Sequence, residues 1–332
     1  MGALRTIDVF NGDADGLIAR HQFRLSFPAA PEAPTLVSGV KRDIALMDRM
    51  VAEPDLHRGD TIQVFDISYD RNAMAVEKLL GLGIHITYFD HHRASRLRAH
   101  PRLDAHIDES RDVCTSLLVD RHCRGVHRPW AIAAAFGDNL STVAQRLSVE
   151  ANLPAQHIDD LKRLGECLNY NAYGETIEDL HYPPVELAAR LAPYASPFDF
   201  IDQEDVLSRL QAGFDADLAS ALATVAIHDS RAARIFVLPN QSWARRISGT
   251  FANHLVNAAP TQAHAVLTLA RTGDQSVATV SIRAPQSMPR DAARVAAKFA
   301  NGGGREIAAG IESFPVLQLP QLIALLEETY RQ

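Results

Sequence analysis

Residues 86–92 read ITYFDHH, an apolar run that ends in an acid and two histidines, Asp90, His91 and His92. Strand interiors favour β-branched and aromatic residues and avoid polar clusters of this kind. The run therefore predicts a strand over Ile84–Asp90 whose polar residues stand where the strand meets the following loop. Open α/β sheets keep their chemistry at that edge.

The rest of the N-terminal sequence supplies the sheet to which this strand belongs. Short apolar runs of strand length alternate with helical patterns in which apolar residues recur at i, i+3 and i+4. Such alternation indicates βαβ units around a parallel sheet. The predicted strands are Leu4–Phe10, Thr35–Val40, Thr61–Asp66 and Ile84–Asp90, and the predicted helices are Ala14–Phe27, Ile44–Val51, Arg71–Leu80, Val113–Cys123 and Trp130–Phe136.

Two further parts follow along the chain. Residues 141–214 have an irregular helical pattern that is interrupted by several prolines, which indicates a connector rather than another sheet domain. Strand runs resume near Arg234, and Thr268–Ser281 holds two of them around the turn sequence ARTGD, which predicts a hairpin. A helix at Asp291–Ala300 and a glycine cluster complete the chain. We predict an α/β protein with an N-terminal parallel-sheet domain at residues 1–140, a helical connector at 141–214 and a smaller α/β domain at 215–332.

Composition limits the classes of partner. The 332 residues are 47% hydrophobic and 22% charged, which is typical of a globular protein large enough for two cores. The net charge of -7 argues against a long nucleic-acid duplex, although a small anion needs only a local basic pocket. The N-terminus lacks the pattern of a signal peptide, and no stretch approaches the ~20 apolar residues of a membrane span. Cys114, Cys123 and Cys167 share no metal-type spacing. We therefore expect a cytoplasmic protein with reduced thiols and no membrane partner.

Acidic residues also follow the other predicted strands. Helix capping can explain any one of them, and for the first pair capping and a functional site are equally good interpretations. Capping does not readily explain acids and histidines at successive edges of one sheet, because clustered carboxylates repel one another unless cations neutralise them. A carboxylate and imidazole set suits two divalent transition metals such as Mn²⁺, the arrangement used for phosphoryl chemistry. The residues are Asp13, Asp15, Asp66, Asp90, His91, His92 and Asp138.

These motifs carry a family resemblance. In order, GDADG (12–16), FDIS (65–68), FDHH (89–92) and FGDN (136–139) resemble the four motifs of the DHH phosphoesterase superfamily. NGGGREIAAG (301–310) resembles the GGGHxxAAG signature of that superfamily's C-terminal associated domain. The resemblance covers almost the whole chain. It implies a DHH catalytic domain joined to a substrate-binding domain, as in RecJ-type exonucleases, nanoRNases, cyclic-dinucleotide phosphodiesterases and pyrophosphatases.

The resemblance also implies a role for each residue of the cluster. Two divalent cations are implied, Mn²⁺ in the first place, with Mg²⁺ or Co²⁺ as alternatives. Asp13 would bind the first metal, Asp15 the second, Asp66 would bridge both, His91 and Asp138 would complete the second, His92 would contact the scissile phosphate or act as general acid, and Asp90 would orient the histidines.

The glycine cluster of the C-terminal domain predicts an anion site. Asn301, Gly302, Gly303 and Gly304 can bring backbone N–H groups close to a phosphate, although glycines alone are more typical of a flexible turn. Arg305 and Arg283 favour the anion site, because a guanidinium matches phosphate oxygens and stays charged. The resemblance places these residues on the nucleotide or terminal phosphate of the substrate.

The chain departs from the family at three positions. Many small-substrate members have a histidine where this chain has Val9, and RecJ-type members have an aspartate where it has Asn11. Both changes weaken the first metal position. Arg305 replaces the histidine of the glycine signature. In the connector, LNYNAYGE (168–175) is mildly similar to a cleft-lining family segment, and its tyrosines could either stack a base or pack structurally.

We therefore predict a metal-dependent phosphodiesterase or phosphatase that acts on short oligonucleotides or (di)nucleotides through water activated by two metals. A RecJ-like single-strand exonuclease and a non-catalytic nucleotide-binding protein are the alternatives. The expected partner is a short single-stranded oligonucleotide or nucleotide and not a long duplex, and the sequence is compatible with a homodimer.

Overall fold

The structure is a computed structural model that describes residues 4–29, 32–270 and 276–331. The chain divides into two compact units, Met1–Gln211 and Ala212–Gln332. By this division, most of the predicted connector belongs to the first unit. The predicted domain boundaries at residues 140 and 214 stay predictions.

The first unit contains a five-stranded parallel sheet, as its sequence predicts. The strand order is β2-β1-β3-β4-β5, with every neighbouring pair parallel. The fifth strand was not predicted, because its alternation of apolar and polar residues spans only five positions and lacks the continuous apolar run of the other strands. The strands are β1 (Thr6–Asn11), β2 (Thr35–Gly39), β3 (Thr61–Phe65), β4 (His85–Asp90) and β5 (Leu103–Ile107).

Helices of the first unit begin where the sequence supplies a start signal. Pro154 precedes one helix, and Pro184 and Pro197 occupy the first positions of two others, where a missing N–H costs little. Among the described residues, no helix has the length and apolar character needed to cross a membrane. The helices are α1 (Ala14–Ser26), α2 (Leu46–Val51), α3 (Tyr69–Leu82), α4 (Thr115–His122), α5 (Arg128–Gly137), α6 (Ser141–Glu150), α7 (Ala155–Asn171), α8 (Pro184–Leu191) and α9 (Pro197–Gln203), with a 3-10 helix at Ile177–Asp179. A further helix, α10 (Val206–Leu222), begins in the first unit and continues past its last residue, Gln211.

Two hydrophobic clusters cover the opposite faces of this sheet. Successive side chains of β1 point to opposite faces of the sheet. Phe10 belongs to the cluster with α1, α4 and α5, whereas Ile7 and Val9 belong to the cluster with α2 and α3. Val9 is fully buried there. The position at which many family members have a histidine is therefore part of the hydrophobic core in this chain.

The second unit contains a six-stranded mixed sheet of order β10-β11-β9-β8-β7-β6. The predicted pairing across Thr268–Ser281 is confirmed, because β8 and β9 are antiparallel neighbours. The predicted turn sequence ARTGD falls mainly on residues 271–275, which lie outside the described residues. The strands are β6 (His228–Asp229), β7 (Ala233–Leu238), β8 (Ala263–Leu269), β9 (Val277–Arg283), β10 (Gly302–Arg305) and β11 (Ala308–Pro315), and the helices are α11 (Ser242–Ala258), α12 (Ala292–Ala296) and α13 (Leu319–Tyr330), with a 3-10 helix at Val316–Gln318.

The glycine cluster has a different local structure from the one predicted. Gly302, Gly303, Gly304 and Arg305 form the edge strand β10, which pairs with β11 in an antiparallel hairpin. The flexible turn that glycines alone would favour is therefore not the structure of this segment. Strand propensities disfavour glycine, but the ladder to β11 orders the segment here.

Candidate metal centre

The acidic and histidine motifs meet at the carboxyl edge of the first sheet. Strands β1, β3 and β4 are adjacent and parallel, so their C-terminal ends lie side by side. The strand order changes direction between β1 and β3, the kind of crevice in which open α/β sheets bind ligands. Asp13 and Asp15 follow β1, Asp66 follows β3, and His91 and His92 follow β4.

Two helix N-termini fix the first pair of acids. Asp13 is the N-cap of α1, and its Oδ1 accepts hydrogen bonds from the backbone N–H groups of Asp15 and Gly16, each at 3.1 Å. The carboxylate of Asp15 reaches the start of α4 and accepts from the backbone N–H groups of Thr115 and Ser116, each at 2.7 Å. Capping is therefore present. A carboxylate oxygen has more than one lone pair, so capping leaves acceptor sites for a ligand.

Asp66 is held in an unusual backbone conformation at the end of β3. Its φ is 60°, in the left-handed region where Asp and Asn are among the few residues found besides glycine. Its Oδ1 accepts a hydrogen bond from the hydroxyl of Thr115 at 3.0 Å and lies 3.4 Å from His91 Nε2. Strain of this kind at a buried polar residue is typical of functional sites.

His91 presents one ring nitrogen to the acids. Its Nδ1 lies 3.0 Å from the carbonyl oxygen of Val113, which accepts a hydrogen bond and so fixes the tautomer. In the neutral ring Nε2 is then the nitrogen with the free lone pair, and it lies 3.4 Å from Asp66 Oδ1 and 4.0 Å from Asp138 Oδ2. An imidazole oriented by a backbone carbonyl in this way is the usual arrangement for a metal ligand.

Asp90 orients the second histidine. Its Oδ1 lies 2.7 Å from His92 Nδ1 and accepts the backbone N–H of His92 at 3.2 Å, while its Oδ2 accepts the N–H of Tyr69 at 3.0 Å. Asp90 is fully buried, whereas the His92 side chain is 43% exposed. Because Asp90 engages Nδ1, Nε2 is the ring nitrogen of His92 that can bond to a ligand.

Two sets of side chains bring potential metal ligands together. Asp15, His91 and Asp138 form one set and Asp66, His91 and His92 the other, with the ligand atoms of each set within 4.8 Å of one another. Mixed carboxylate and imidazole donors suit a divalent transition metal. The second metal position of the sequence analysis therefore fits the residues present. Within the described ranges, no such set includes Asp13.

The electrostatics of the cluster are dominated by buried carboxylates that lie close together. Burial and the nearby Asp15 and Asp13 carboxylates raise the pKa of Asp66 well above its ordinary value. The same causes raise the pKa of Asp138 to about 7. Burial lowers the pKa of His91, but the hydrogen bond to Asp66 and the surrounding carboxylates outweigh it and raise that pKa to about 10. A divalent cation would relieve this repulsion.

Sequence reasoning missed Lys41, which follows β2 at the same sheet edge. Its Nζ donates hydrogen bonds to Asp13 Oδ2 at 2.6 Å and to Asn169 Oδ1 at 2.8 Å, and it lies 5.6 Å from the centre of the Tyr173 ring. Burial lowers the pKa of Lys41, but the charges of Asp13 and Tyr173 outweigh it and the pKa is raised. The sequence signal that could have identified Lys41 is its position just after a predicted strand of the parallel sheet.

The tyrosines of the LNYNAYGE segment have different surroundings. Tyr170 is buried, and its hydroxyl lies 2.9 Å from His181 Nε2, so it packs structurally. Tyr173 lies beside Lys41 at the carboxyl edge. Of the two tyrosines, only Tyr173 is near the candidate site.

Comparison with known proteins identifies the fold. No protein-family model and no curated protein matches the sequence. Among solved structures, a DHH-domain protein described as a member of a family of ribosomal proteins has a TM-score of 0.60 and 14% identity, and the match covers 99% of this chain and 87% of that one. Exonuclease RecJ bound to manganese has a TM-score of 0.56 and 15% identity, covering 99% and 90%. The pGpG-specific phosphodiesterase PggH from Vibrio cholerae has a TM-score of 0.53 and 11% identity, covering 98% and 98%. The chain has the DHH fold.

The second unit of this DHH-fold chain carries the two predicted anion-binding arginines in one row. Arg305 pairs with Ala308, which pairs in turn with Arg283 on the next strand. Directly paired residues point to the same face of a sheet, so only the small Ala308 side chain separates the arginines. Arg305 is exposed. Arg283 donates a hydrogen bond from Nε to Asn253 Oδ1 at 2.7 Å.

The three glycines of β10 differ in what their backbone requires. A Cβ on Gly302 would lie 1.9 Å from the carbonyl oxygen of Ala296. Gly304 has a φ of 147°, and its Cβ would lie 2.5 Å from Ala309 Cα. A Cβ on Gly303 would meet nothing within 4 Å among the described residues. The fold therefore explains Gly302 and Gly304, whereas Gly303 leaves open space in which a ligand could approach the backbone.

We predict that Asp138→Asn stabilises the metal-free chain at alkaline pH. The folded pKa of Asp138, about 7, lies above its ordinary value of 3.8, so its ionisation costs stability as the pH rises through about 7. With a chelator present, the melting temperature of the wild type should fall between pH 5 and pH 8. Asp138→Asn should reduce that fall and gain roughly 2–4 °C at pH 8, the shift expected for about 1 kcal/mol in a unit of this size.

The control for this prediction is Asp112→Asn, which removes an exposed carboxylate. It should leave the pH dependence of melting unchanged. Parallel melting profiles for the wild type and Asp138→Asn would contradict the prediction.

Proposed function

We propose that the chain is a metal-dependent phosphoesterase of the DHH superfamily that hydrolyses phosphate esters of short oligonucleotides or (di)nucleotides. The observation that carries this proposal is the convergence of Asp15, Asp66, His91 and Asp138 at the switch point of the parallel sheet. The RecJ exonuclease and the pGpG-specific phosphodiesterase, which have the same fold, support this reaction class. We expect the enzyme to meet its substrate in the cytoplasm.

The four converging residues would hold a divalent cation, for which Mn²⁺ is the first candidate and Mg²⁺ or Co²⁺ are alternatives. Such a cation supplies Lewis acidity to a phosphate oxygen and makes a water molecule more acidic. The tautomer of His91 fits this role, because its Nδ1 is engaged by a backbone carbonyl and its Nε2 faces Asp66 and Asp138.

His92 is proposed as the proton donor to the leaving oxygen or as a phosphate contact. The hydrogen bond to Asp90 raises the pKa of His92, although burial acts in the opposite direction. A raised pKa favours the protonated ring that a general acid needs. Asp90 acts through His92, by holding Nδ1 at 2.7 Å and so directing Nε2 outward.

The proposed substrate is short because the second unit offers a separate place for a phosphate. Arg283 and Arg305 lie in one row, and Gly303 leaves its backbone open beside them. Guanidinium groups bind phosphate oxygens with charge-assisted hydrogen bonds. Together with Asn301, Gly302 and Gly304, they would bind the terminal phosphate or the nucleotide of the substrate.

A RecJ-like exonuclease is the second candidate, favoured by the match that covers 90% of the RecJ structure. Turnover of a series of single-stranded DNA and RNA substrates, from dinucleotides to long oligonucleotides, distinguishes the two. A phosphoesterase for short substrates loses kcat/KM as the strand lengthens, whereas an exonuclease keeps it or gains. Nucleotide binding without turnover of any substrate would instead favour the non-catalytic alternative.

We predict that Asp66→Asn abolishes hydrolysis of a linear dinucleotide in Mn²⁺ while the chain stays folded. Asparagine tolerates the left-handed backbone at φ 60°, so the change removes charge and not conformation. The loss should be at least roughly a thousand-fold in kcat, as expected when a group central to the transition state is removed. Circular dichroism and the melting temperature check the fold. Turnover near the wild-type rate by folded Asp66→Asn would refute the proposed centre.

We predict that substitutions of His91 and of His92 have different effects on bound metal and on kcat. His91→Ala should reduce both bound Mn²⁺ and kcat, because its Nε2 faces the acids. His92→Ala should reduce kcat by roughly 10²–10⁴ and leave bound Mn²⁺ unchanged, since that is the usual contribution of a general acid. Elemental analysis after gel filtration measures the metal. Equal loss of metal in both variants would contradict the division.

We predict that Arg305→Ala weakens kcat/KM roughly ten- to a hundred-fold on a dinucleotide, because it removes a charge-assisted contact of ~1.5–3 kcal/mol. It should change little on a chromogenic aryl phosphodiester that lacks a second phosphate. Arg305→His should recover part of the loss at low pH, where imidazole is charged.

Arg231→Ala is the matched control, since it removes another exposed arginine of the second unit. It should leave both substrates unaffected. If Arg305→Ala lowers turnover of the dinucleotide and of the aryl ester by the same factor, the remote phosphate contact is wrong.

A further inference from the structure

The contacts of Lys41 occupy the side of Asp13 that a first metal ion would need. Asp13 Oδ1 caps α1 through the N–H groups of Asp15 and Gly16. Asp13 Oδ2 accepts a hydrogen bond from Lys41 Nζ at 2.6 Å. A divalent cation on Oδ2 would therefore share that oxygen with an ammonium group, and the two positive charges would repel each other.

Two positions at which the family resemblance implies further ligands of a first metal hold other residues in this chain. Val9 lies in the hydrophobic core. The amide of Asn11 is engaged at both ends, since its Oδ1 accepts the N–H of Asp13 at 3.2 Å and its Nδ2 donates to the carbonyl of Lys41 at 3.4 Å. Asp13 belongs to neither of the potential ligand sets found in the described part of the chain. The residues present therefore do not fit a divalent ion at this position.

Contacts of the backbone and of the side chain hold the ammonium group of Lys41 in one position. Its backbone N–H donates to the carbonyl of Ala172 at 2.9 Å, and its Nζ donates to Asn169 Oδ1 at 2.8 Å, so both ends are tied to the C-terminal end of α7. The ring of Tyr173 lies 5.6 Å from the same Nζ. An ammonium has three donors, and the bonds to Asp13 and Asn169 leave one for a substrate oxygen.

We infer that Lys41 takes the place of the first divalent cation, so that the chain binds one ion, at Asp15, Asp66, His91 and Asp138, and not the two that its motifs suggest. The ammonium supplies a fixed charge where the family resemblance implies an exchangeable one. This inference rests on the proposed function only for the ion at the second position. The position beside Asp13 is assigned from the contacts of Lys41 alone.

Metal stoichiometry tests the inference. The full chain is titrated with Mn²⁺ by calorimetry, and electron paramagnetic resonance tells an isolated Mn²⁺ ion from an exchange-coupled pair. We expect one ion per wild-type chain, with the spectrum of an isolated ion. Two coupled ions would overturn the inference and leave the proposed function intact. No bound ion at millimolar Mn²⁺ would overturn the proposed metal centre itself.

Two matched variants locate the ion. Asp13→Asn keeps the cap of α1, because asparagine is an equally good N-cap residue. It should bind one Mn²⁺ with a dissociation constant within about threefold of the wild type, whereas Asp15→Asn should weaken binding at least roughly tenfold. Asp15→Asn removes a direct ligand, whereas Asp13→Asn removes only a nearby charge that Lys41 already compensates. Loss of the ion in Asp13→Asn would make Asp13 a ligand and the inference wrong.

A change at Lys41 tests its charge. Lys41→Gln should still bind one Mn²⁺ but hydrolyse a dinucleotide roughly ten- to a hundred-fold more slowly, because a charged contact to the substrate is lost. Lys41→Arg, which keeps the charge, should recover part of the rate. Wild-type turnover by Lys41→Gln would overturn the proposed role of the ammonium.

Discussion

The first unit is organised around the crowding of carboxylates at one edge of a sheet. Asp13, Asp15 and Asp66 are all buried, and Asp138 lies close enough to be affected by the charge of the first two. Like charges in such surroundings are tolerated only where donors or cations compensate them. The N-terminus of α4, the hydroxyl of Thr115 and the two histidines all serve this purpose around the cluster.

The negative charges of the cluster are compensated to different extents. The ammonium group of Lys41 lies 2.6 Å from Asp13 Oδ2. Burial acts to raise the pKa of Asp13, but the charge of Lys41 outweighs it and the pKa is lowered. Asp66 has a hydroxyl and an imidazole for partners, and its pKa is raised. One half of the edge is thus neutralised by the chain itself, and the other half is poised to attract a cation from solution. Val9 and Asn11, which stand where the family resemblance implies metal ligands, both lie in β1, on the side of the cluster that Lys41 neutralises.

Much of this arrangement could be predicted from the sequence, because the strong signals are local. An apolar run that ends in Asp-His-His indicates both a strand and its functional end, and parallel strands bring such ends together whatever the loops do. The failures have physical causes. β5 lies at a sheet edge, and its alternating apolar and polar residues span only five positions, so its signal is weaker than the continuous apolar runs of the other strands. The glycines of β10 are ordered by their pairing with β11, which turn rules based on glycine alone do not consider.

Lys41 escaped prediction for a related reason. A single lysine in a loop is normally solvated, and its role depends on Asn169, which lies 128 residues further along the chain. The consequences of Val9 and Asn11 were foreseen as a weakened first position, but the group that replaces the metal could not be, since no local pattern links it to Asp13. Site geometry built from contacts remote in sequence is where sequence reasoning reaches its limit.

The long sequence separation of these contacts affects how the site forms while the chain is synthesised and folds. Asp15 is held by Thr115 and Ser116, 100 and 101 residues away, and Lys41 by Asn169. Closing such long loops is entropically unfavourable until the surrounding core forms. A chain emerging from the ribosome at about 5–20 residues per second therefore spends many seconds with its acids separated and fully hydrated. The potential ligands run from Asp15 to Asp138, so they come together only after α5 has been synthesised and the parallel sheet has formed around them.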